Sequence, residues 1–295
     1  MQYLIDASVY VFRAHYSMPD DMVDGDGNPV NALYGYCRFL GDFMEQVRPA
    51  HIAVLFDESL ATSFRTGIYP EYKANREPAP PELKRQFVQC REFTRALGLL
   101  ECAHPGYEAD DLIGTLVSEG RANGLPSTIV SRDKDLAQLV SENDVFWDFA
   151  GKGQLRYEQI PEVFGVWPEQ IADFLALAGD AVDNIRGVPG VGRKTAAALL
   201  EHFGTLEALY DNLDRVHEVT VRGAKTLGAR LREHKAAALL ARQLTGIACD
   251  APVLRPASGL APRPPNLGAI NALFDTAGIG TALRRQAVRV ADLLR

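Results

Sequence analysis

Three short apolar runs, each followed closely by an aspartate, constrain the fold of this chain more than any other feature. The runs cover residues 3–5, 51–56 and 127–130, and the acids that follow them are Asp6, Asp57 and Asp133. Stretches with helical spacing, over residues 32–47 and 82–97, separate these runs. Strands that alternate with helices predict an α/β fold with a central, mostly parallel sheet flanked by helices. Ligands of such sheets bind beyond the carboxyl ends of the strands, so the three aspartates predict a functional site at that edge.

Six further acids stand in closely spaced groups. Glu108 and Asp111 are three residues apart, as are Asp180 and Asp183, so each pair shares one face of a helix. Asp135 lies two residues after Asp133, and in extended chain both side chains point the same way. The candidate metal ligands are Asp6, Asp57, Glu108, Asp110, Asp111, Asp133, Asp135, Asp180 and Asp183.

Carboxylates that gather from five separate segments repel one another, so such a cluster needs a bound cation. Oxygen ligands, without His or Cys at ligand spacing, suit Mg²⁺ or Mn²⁺ rather than zinc. Two such ions about 4 Å apart can activate water and stabilise the leaving oxygen when a phosphodiester is hydrolysed. Taken singly, each acid is also explained as a turn or helix-cap residue, so the prediction depends on the five segments converging.

A glycine-rich turn precedes a helical stretch over residues 195–202. Gly187, Gly190 and Gly192 let the backbone approach a ligand closely, and Lys194 and Thr195 follow at once. Free amide groups at a helix start attract a phosphate, and the lysine adds a positive charge. The pattern predicts a helix-hairpin-helix that grips a DNA backbone; the alternative is a turn between two helices that binds nothing.

Basic and aromatic residues are interleaved over residues 69–95, inside a segment that we expect to be an extended loop. Basic groups meet phosphates and aromatic rings stack on bases, so Tyr72 and Arg76 are candidate DNA-binding residues here. Lys73 lies among them without apolar periodicity, which predicts an exposed side chain. The alternative is a solvated helix of mixed charge.

The formal net charge of −7 by itself argues against a nucleic-acid binder. Setting the nine clustered acids aside turns −7 into +2, so local basic patches can still attract DNA. No apolar run approaches the roughly 18 residues of a membrane span. The N-terminus has no basic leader, and we expect a cytoplasmic protein without a membrane contact.

Six segments together resemble the 5′ nuclease (flap endonuclease) superfamily, in particular the 5′ nuclease domain of bacterial DNA polymerase I and the phage 5′ exonucleases. They are Asp6 with Phe12-Arg13, VLFD ending at Asp57, YPEYKANR at 69–76, PGYEADD at 105–111, SRDKDLAQL at 131–139 and GDAVDNIRGVPGVGRKTA at 179–196. They occur in the family's order and cover about residues 1–250. Ala7 stands where the family usually has a glycine.

The resemblance implies two metal sites that hold two Mg²⁺ ions, with Mn²⁺ as a substitute. The first would use the acids up to Asp111; those from Asp133 onward would complete it and build the second. It also implies that Lys73 is catalytic and faces the scissile phosphate from the base of a helical arch, over about residues 64–95, with Arg85 as a second catalytic basic residue. A K⁺ ion would sit at the helix-hairpin-helix.

The implied function is a metal-dependent 5′→3′ exonuclease and 5′ flap endonuclease that acts on DNA with 5′ ends, flaps or branches. We expect a monomer that acts alone or beside a DNA polymerase on a separate chain. The expected organisation is a nuclease core over residues 1–160, a helical region with the hairpin over 161–250, and a tail with short helices over 251–295. Two alternatives are a structure-specific DNA-binding protein without cleavage and a ribonuclease on a related acidic core.

Overall fold

A six-stranded sheet forms the centre of the molecule in a computed structural model, which describes residues 1–58, 62–149, 151, 153–253 and 259–294. The strands are β1 (Gln2–Asp6), β2 (Ile52–Leu55), β3 (Leu100–Cys102), β4 (Ser127–Val130), β5 (Val145–Asp148) and β6 (Gly153–Arg156). Their order is β3-β2-β1-β4-β5-β6, and only β6 runs antiparallel to its neighbour. The predicted mostly parallel sheet is confirmed, although the sequence patterns missed β3, β5 and β6.

Helices cover both faces of this sheet and build a second region after it. Those of the first part are α1 (Ala7–Ser17), α2 (Asn31–Val47), α3 (Phe64–Ile68), α4 (Pro81–Ala96) and α5 (Ala109–Ala122). The helical region contains α6 (Ile160–Phe164), α7 (Ile171–Ala178), α8 (Arg193–Phe203), α9 (Leu206–Asp211), α10 (Ala224–Glu233) and α11 (Lys235–Thr245). The tail adds α12 (Leu267–Thr276) and α13 (Thr281–Leu293). No helix of the described residues is long and apolar enough to cross a membrane.

Alternate residues of each central strand feed two hydrophobic cores. Ile5 and Val54 pack into a core with α1, α2, α4, α12 and α13, whereas Leu4 and Leu55 pack against α5 on the other face. Strands buried on both faces read as continuous apolar runs, which explains why β1, β2 and β4 stand out in the sequence. A third core, built largely from α7 to α11, holds the helical region together.

The tail after residue 250 returns to the first core. Phe274 of α12 stacks on Phe93 of α4, with ring centroids 5.7 Å apart. Gln286 of α13 donates to Asp42 on α2 (2.7 Å). The two tail helices are therefore part of the α/β core, although the sequence offered no reason to place them there.

The segment predicted as a helical arch divides into two parts. Helix α4 buries Leu83, Cys90 and Phe93 against the first core. Residues 69–80, between α3 and α4, form irregular chain that lies beside the acids described next. This shorter stretch carries the candidate catalytic lysine.

Candidate active site

The acids at the ends of β1 and β2 are fixed by the starts of neighbouring helices. Asp6 ends β1 and caps α1, with its Oδ1 accepting a hydrogen bond from the Val9 amide (3.4 Å). Asp57, just after β2, accepts a hydrogen bond from the amide of Ala109 at the start of α5 (2.9 Å). Since β1 and β2 are parallel neighbours, both carboxylates lie at the same edge of the sheet.

Ser131 joins the first acid to the acids that follow β4. Its hydroxyl donates to Asp6 Oδ2 (2.8 Å) and accepts from the Asp133 amide (2.9 Å). Asp133 in turn caps a 3-10 helix, Lys134–Leu139, by accepting from the Asp135 amide (3.0 Å). The ends of the neighbouring strands β1 and β4 are thus linked through the Ser131 hydroxyl.

A tight loop after α7 brings Asp180 and Asp183 close to the acids that follow β4. Asp180 and Ile185 exchange both backbone hydrogen bonds (2.9 and 2.7 Å), which closes the loop. Gly179 sits at φ +81°, and a Cβ there would lie 2.7 Å from the Gly187 amide nitrogen, so only glycine allows this approach. The Asp183 carboxylate accepts a hydrogen bond from the Tyr72 hydroxyl (3.2 Å).

Repulsion between carboxylates from different segments indicates that these acids lie near one another. Burial and then repulsion from Asp57 and Asp133 raise the pKa of Asp6 to about 8. Burial and then repulsion from Asp133, Asp180 and Asp183 raise the pKa of Asp135 to about 7. Asp110 has its pKa raised by burial and by Asp133, Asp6 and Asp57.

Repulsion among buried carboxylates favours a bound cation, and oxygen-only donors fit a hard divalent ion. Among the described residues, no group of three or more His, Cys, Asp or Glu side chains meets the geometry of a ready-made metal site. The fit of a divalent cation to these residues therefore rests on their oxygen donors and on the repulsion between their carboxylates. Two of the acids, Glu108 and Asp183, are partly balanced by basic side chains.

Lys73 is one of these basic side chains, and its burial corrects the prediction that it is exposed. The ammonium donates to Glu108 Oε2 and lies 3.6 Å from Asp183 Oδ2, with only 9% of the side chain exposed. Burial lowers the pKa of Lys73, but Glu108 and Asp183 oppose that effect and hold it well above the ordinary value. The polar sequence around Lys73 predicted an exposed side chain, because its partners Glu108 and Asp183 are distant in sequence.

Arg85 forms its hydrogen bonds with residues outside this group of acids, and its role as the second catalytic basic residue stays a prediction. It donates to Asp24 Oδ2 (2.8 Å) and to the Pro29 carbonyl (2.9 Å). Arg76, predicted only as a DNA-binding residue, instead binds the Asp183 carboxylate. Lys73 and Arg76 are therefore two basic side chains that lie beside the acids.

Asp111 has both of its carboxylate oxygens facing a buried arginine. Arg65 of α3 donates to Asp111 Oδ1 and Oδ2 at 2.7 Å each and lies 3.4 Å from Glu108 Oε1. The Asp111 side chain is fully buried and also accepts from the amide of Ala248 (2.9 Å). Both carboxylate oxygens of Asp111 are therefore engaged by Arg65, and its role as a metal ligand stays a prediction. A single arginine in the short FRTGI helix gave no sequence signal for this pairing.

The structure places the hairpin residues at the start of α8. Gly192 is the N-cap, without a side-chain hydrogen bond to the first turn, and Lys194 is exposed in that turn while Thr195 is half-buried. Gly190 is at φ +76°, and a Cβ there would lie 2.4 Å from Arg230 Nη1. Arg230 of α10, which the sequence did not single out, therefore lies against the turn.

Two family descriptions together account for most of the chain. Residues 1–165 match the N-terminal resolvase-like domain of the 5′-3′ exonucleases, and residues 166–267 match their C-terminal SAM fold. The chain belongs to the 5′-3′ exonuclease family. As a 5′-3′ exonuclease family member it is a nuclease, a hydrolase of phosphodiester bonds.

Relatives of this exonuclease include much longer proteins. It is 38% identical over 292 residues to DNA polymerase I of Rhizobium leguminosarum, covering 97% of this chain and 28% of the relative. It is 41% identical over 272 residues to DNA polymerase I of Pseudomonas aeruginosa, covering 92% and 30%. The chain thus spans less than a third of the length of these curated relatives.

Solved structures share the fold at low sequence identity. T5 5′-exonuclease with bound zinc gives a TM-score of 0.68 at 18% identity and covers 100% of this chain and 99% of its own. The catalytic core of Rad2 in complex with a DNA substrate gives 0.65 at 13% identity and covers 100% and 92%. These likenesses support the α/β fold of this chain.

Proposed function

We propose that this chain is a Mg²⁺-dependent 5′→3′ exonuclease and structure-specific 5′ flap endonuclease that cleaves DNA by a two-metal-ion mechanism. The observation that carries the proposal is the set of carboxylates gathered at the strand ends, where Ser131 bridges Asp6 and the Asp133 amide. Burial and mutual repulsion raise the pKa of Asp6 to about 8 and that of Asp135 to about 7. Carboxylates held so close gain from two divalent cations. Metal-bound nucleases of the same fold support dependence on a divalent metal ion.

The acids divide between two ions in this proposal. Asp6, Asp57, Glu108 and Asp110 would hold the first ion, and Asp133, Asp135, Asp180 and Asp183 would hold the second. When bound, such ions would supply an activated water and stabilisation of the leaving oxygen. Glu108 would exchange its bond to Lys73 for a metal ion, and Asp111 holds the start of α5 in place through Arg65.

Lys73 and Arg76 would bind the scissile phosphate once DNA enters. Each is already beside the acids, so each needs only to exchange a carboxylate for a phosphate oxygen. Positive charge at that position stabilises the negative charge that develops in the transition state. Tyr72, whose hydroxyl lies 3.3 Å from Glu108 Oε2 and 3.2 Å from Asp183 Oδ2, would keep the two acids at a fixed spacing.

The hairpin would hold the duplex part of the substrate. Uncapped amides at the start of α8 and the exposed Lys194 suit a phosphate, and contacts to phosphate carry no sequence preference. A K⁺ ion at the turn with Gly187, Gly190 and Gly192 belongs to the same proposal, as does action as a monomer beside a polymerase on another chain.

The test uses a 5′-labelled flap duplex, with Mg²⁺, Mn²⁺ or EDTA and with DNA or RNA flaps. We expect cleavage of the DNA flap near the branch with either metal and none with EDTA. Cleavage that continues in EDTA would refute the metal mechanism. Binding without cleavage in Mg²⁺ would favour a non-cleaving DNA-binding protein, and preference for the RNA flap would favour a ribonuclease.

A further inference from the structure

Two loops that are about 110 residues apart in sequence are joined beside the candidate active site. The Lys73 amide donates to the Asp183 carbonyl (3.0 Å). The Asn184 side-chain amide donates to the Glu71 carbonyl (2.7 Å). We call these contacts, together with the one described next, the clasp; it joins residues 71–76 to residues 181–184.

A third hydrogen bond completes the clasp in the opposite sense. The Asn75 side-chain amide donates to the Ala181 carbonyl (3.0 Å), so each loop contributes one asparagine to the backbone of the other. The clasp lies between the loop that carries Lys73 and the loop that leads from α7 to the hairpin. The clasp thus joins the loop that carries Lys73 directly to the loop that leads to the predicted DNA-binding hairpin.

Backbone conformation shows that the clasp holds a strained turn. Lys73 and Asn184 have φ angles of +54° and +57°, two of three non-glycine residues with positive φ in the described chain. Asparagine tolerates this left-handed conformation, whereas lysine does not adopt it freely. Such strain persists where surrounding contacts fix it and is concentrated at functional sites. The clasp supplies those contacts to Lys73.

We propose that Asn184 is a positioning residue for the nuclease reaction, which acts by holding the Lys73 turn against the acids. This inference rests on the proposed function, because Lys73 must contact the scissile phosphate for its position to matter. The Asn184 side chain reaches the lysine turn through its hydrogen bond to the Glu71 carbonyl. A small displacement of a catalytic group can lower a rate by about a hundredfold, so one such hydrogen bond can matter.

Asn184→Gly is the informative variant, because glycine keeps the left-handed backbone and removes only the side-chain amide. Asn75→Ala removes the reciprocal bond and provides a second test. Asn123→Gly is the matched control: its side-chain amide donates to the Glu119 carbonyl at 2.7 Å, at the far end of α5 from Glu108. That helix is about 20 Å long at 1.5 Å per residue.

The rate at saturating flap DNA, measured in a single turnover, should fall about tenfold in Asn184→Gly and less in Asn75→Ala. Melting temperature and DNA affinity should match those of the control. In a Lys73→Ala background, Asn184→Gly should change the rate less than twofold, because the residue acts through the lysine. Multiplicative effects of the two changes, or a control-like rate for Asn184→Gly, would overturn the proposal.

Hydrogen exchange provides a readout that does not depend on cleavage. The amides of residues 71–76 should exchange faster in Asn184→Gly than in Asn123→Gly, and unchanged exchange would also overturn the proposal. A wild-type protein that fails to cleave in Mg²⁺ refutes the proposed function. The exchange rates still decide whether the clasp holds the turn, so the two failures are distinguishable.

Discussion

Replacing Asp111 by asparagine should destabilise the metal-free protein, whereas the same replacement of the neighbouring Asp110 should stabilise it. Asp111 receives two hydrogen bonds of 2.7 Å from Arg65, in a pair that is almost completely buried. Asp110 instead has its pKa raised by burial and by the surrounding carboxylates. Asp111 is paired with a cation, whereas Asp110 is repelled by neighbouring carboxylates. Loss of the charge should therefore lower the free energy of unfolding at Asp111 and raise it at Asp110.

The sizes of these effects follow from the two environments. Removing one partner of a buried ion pair costs about 3–5 kcal/mol, and at about 2–4 °C per kcal/mol the lower figure corresponds to a fall of roughly 6–12 °C in melting temperature. Two like charges about 4 Å apart repel by about 1 kcal/mol even in water, so Asp110→Asn should raise the melting temperature by roughly 2–4 °C.

Thermal denaturation in EDTA at neutral pH measures both variants against the wild type. The contrast between adjacent residues is its own control, because both changes are isosteric and lie in the first turn of α5. If Asp111→Asn melts like the wild type and instead loses affinity for divalent metal, then Asp111 is a metal ligand and the role assigned to Arg65 is wrong.

Three further predictions use other parts of the site. The pKa values of Asp6 and Asp135 are raised in the folded protein to about 8 and about 7, so the fold favours their protonated forms. The free energy of unfolding is therefore larger at low pH and decreases as the pH rises through 7–8. Melting temperatures in EDTA should fall from about pH 5 to 8.5, and saturating Mg²⁺ should reduce the fall. Lys73→Ala should lower the single-turnover rate far more than DNA affinity, and an unchanged saturated rate would remove Lys73 from catalysis. Lys194→Ala should reduce the slope of log affinity against log salt by about 0.9, one phosphate contact, with no sequence preference, as binding titrations can show.

The sheet and its acidic edge were predictable because their signals are local. Doubly buried parallel strands read as apolar runs, and a parallel register brings Asp6, Asp57 and Asp133 to one edge whatever the connections between them. The shorter or partly exposed strands β3, β5 and β6 lack that contrast. Tail helices α12 and α13 were evident from periodicity, but periodicity does not say which surface a helix covers.

Pairings across long sequence separations explain why the sequence did not reveal the partners of the candidate site residues. Arg65 and Asp111 are 46 residues apart, and Lys73 and Asp183 are 110 apart, so neither pair leaves a local pattern. Basic residues look alike in a sequence until their partners are known. Arg85 of α4 meets Asp24 and Arg76 meets Asp183, and of these two the family resemblance implied a catalytic role for Arg85.

If the clustered carboxylates hold the metal ions that cleave DNA, then Asp110→Ala, which removes one of these carboxylates, should nearly abolish cleavage. Cleavage of a 5′-flap duplex in Mg²⁺ and affinity for the same DNA in Ca²⁺ would be measured side by side for the variant and the wild type. We expect the rate to fall on the order of a thousandfold, since a metal-stabilised charge contributes several kcal/mol to the transition state, while DNA affinity is retained. Near-normal turnover by Asp110→Ala would contradict the account.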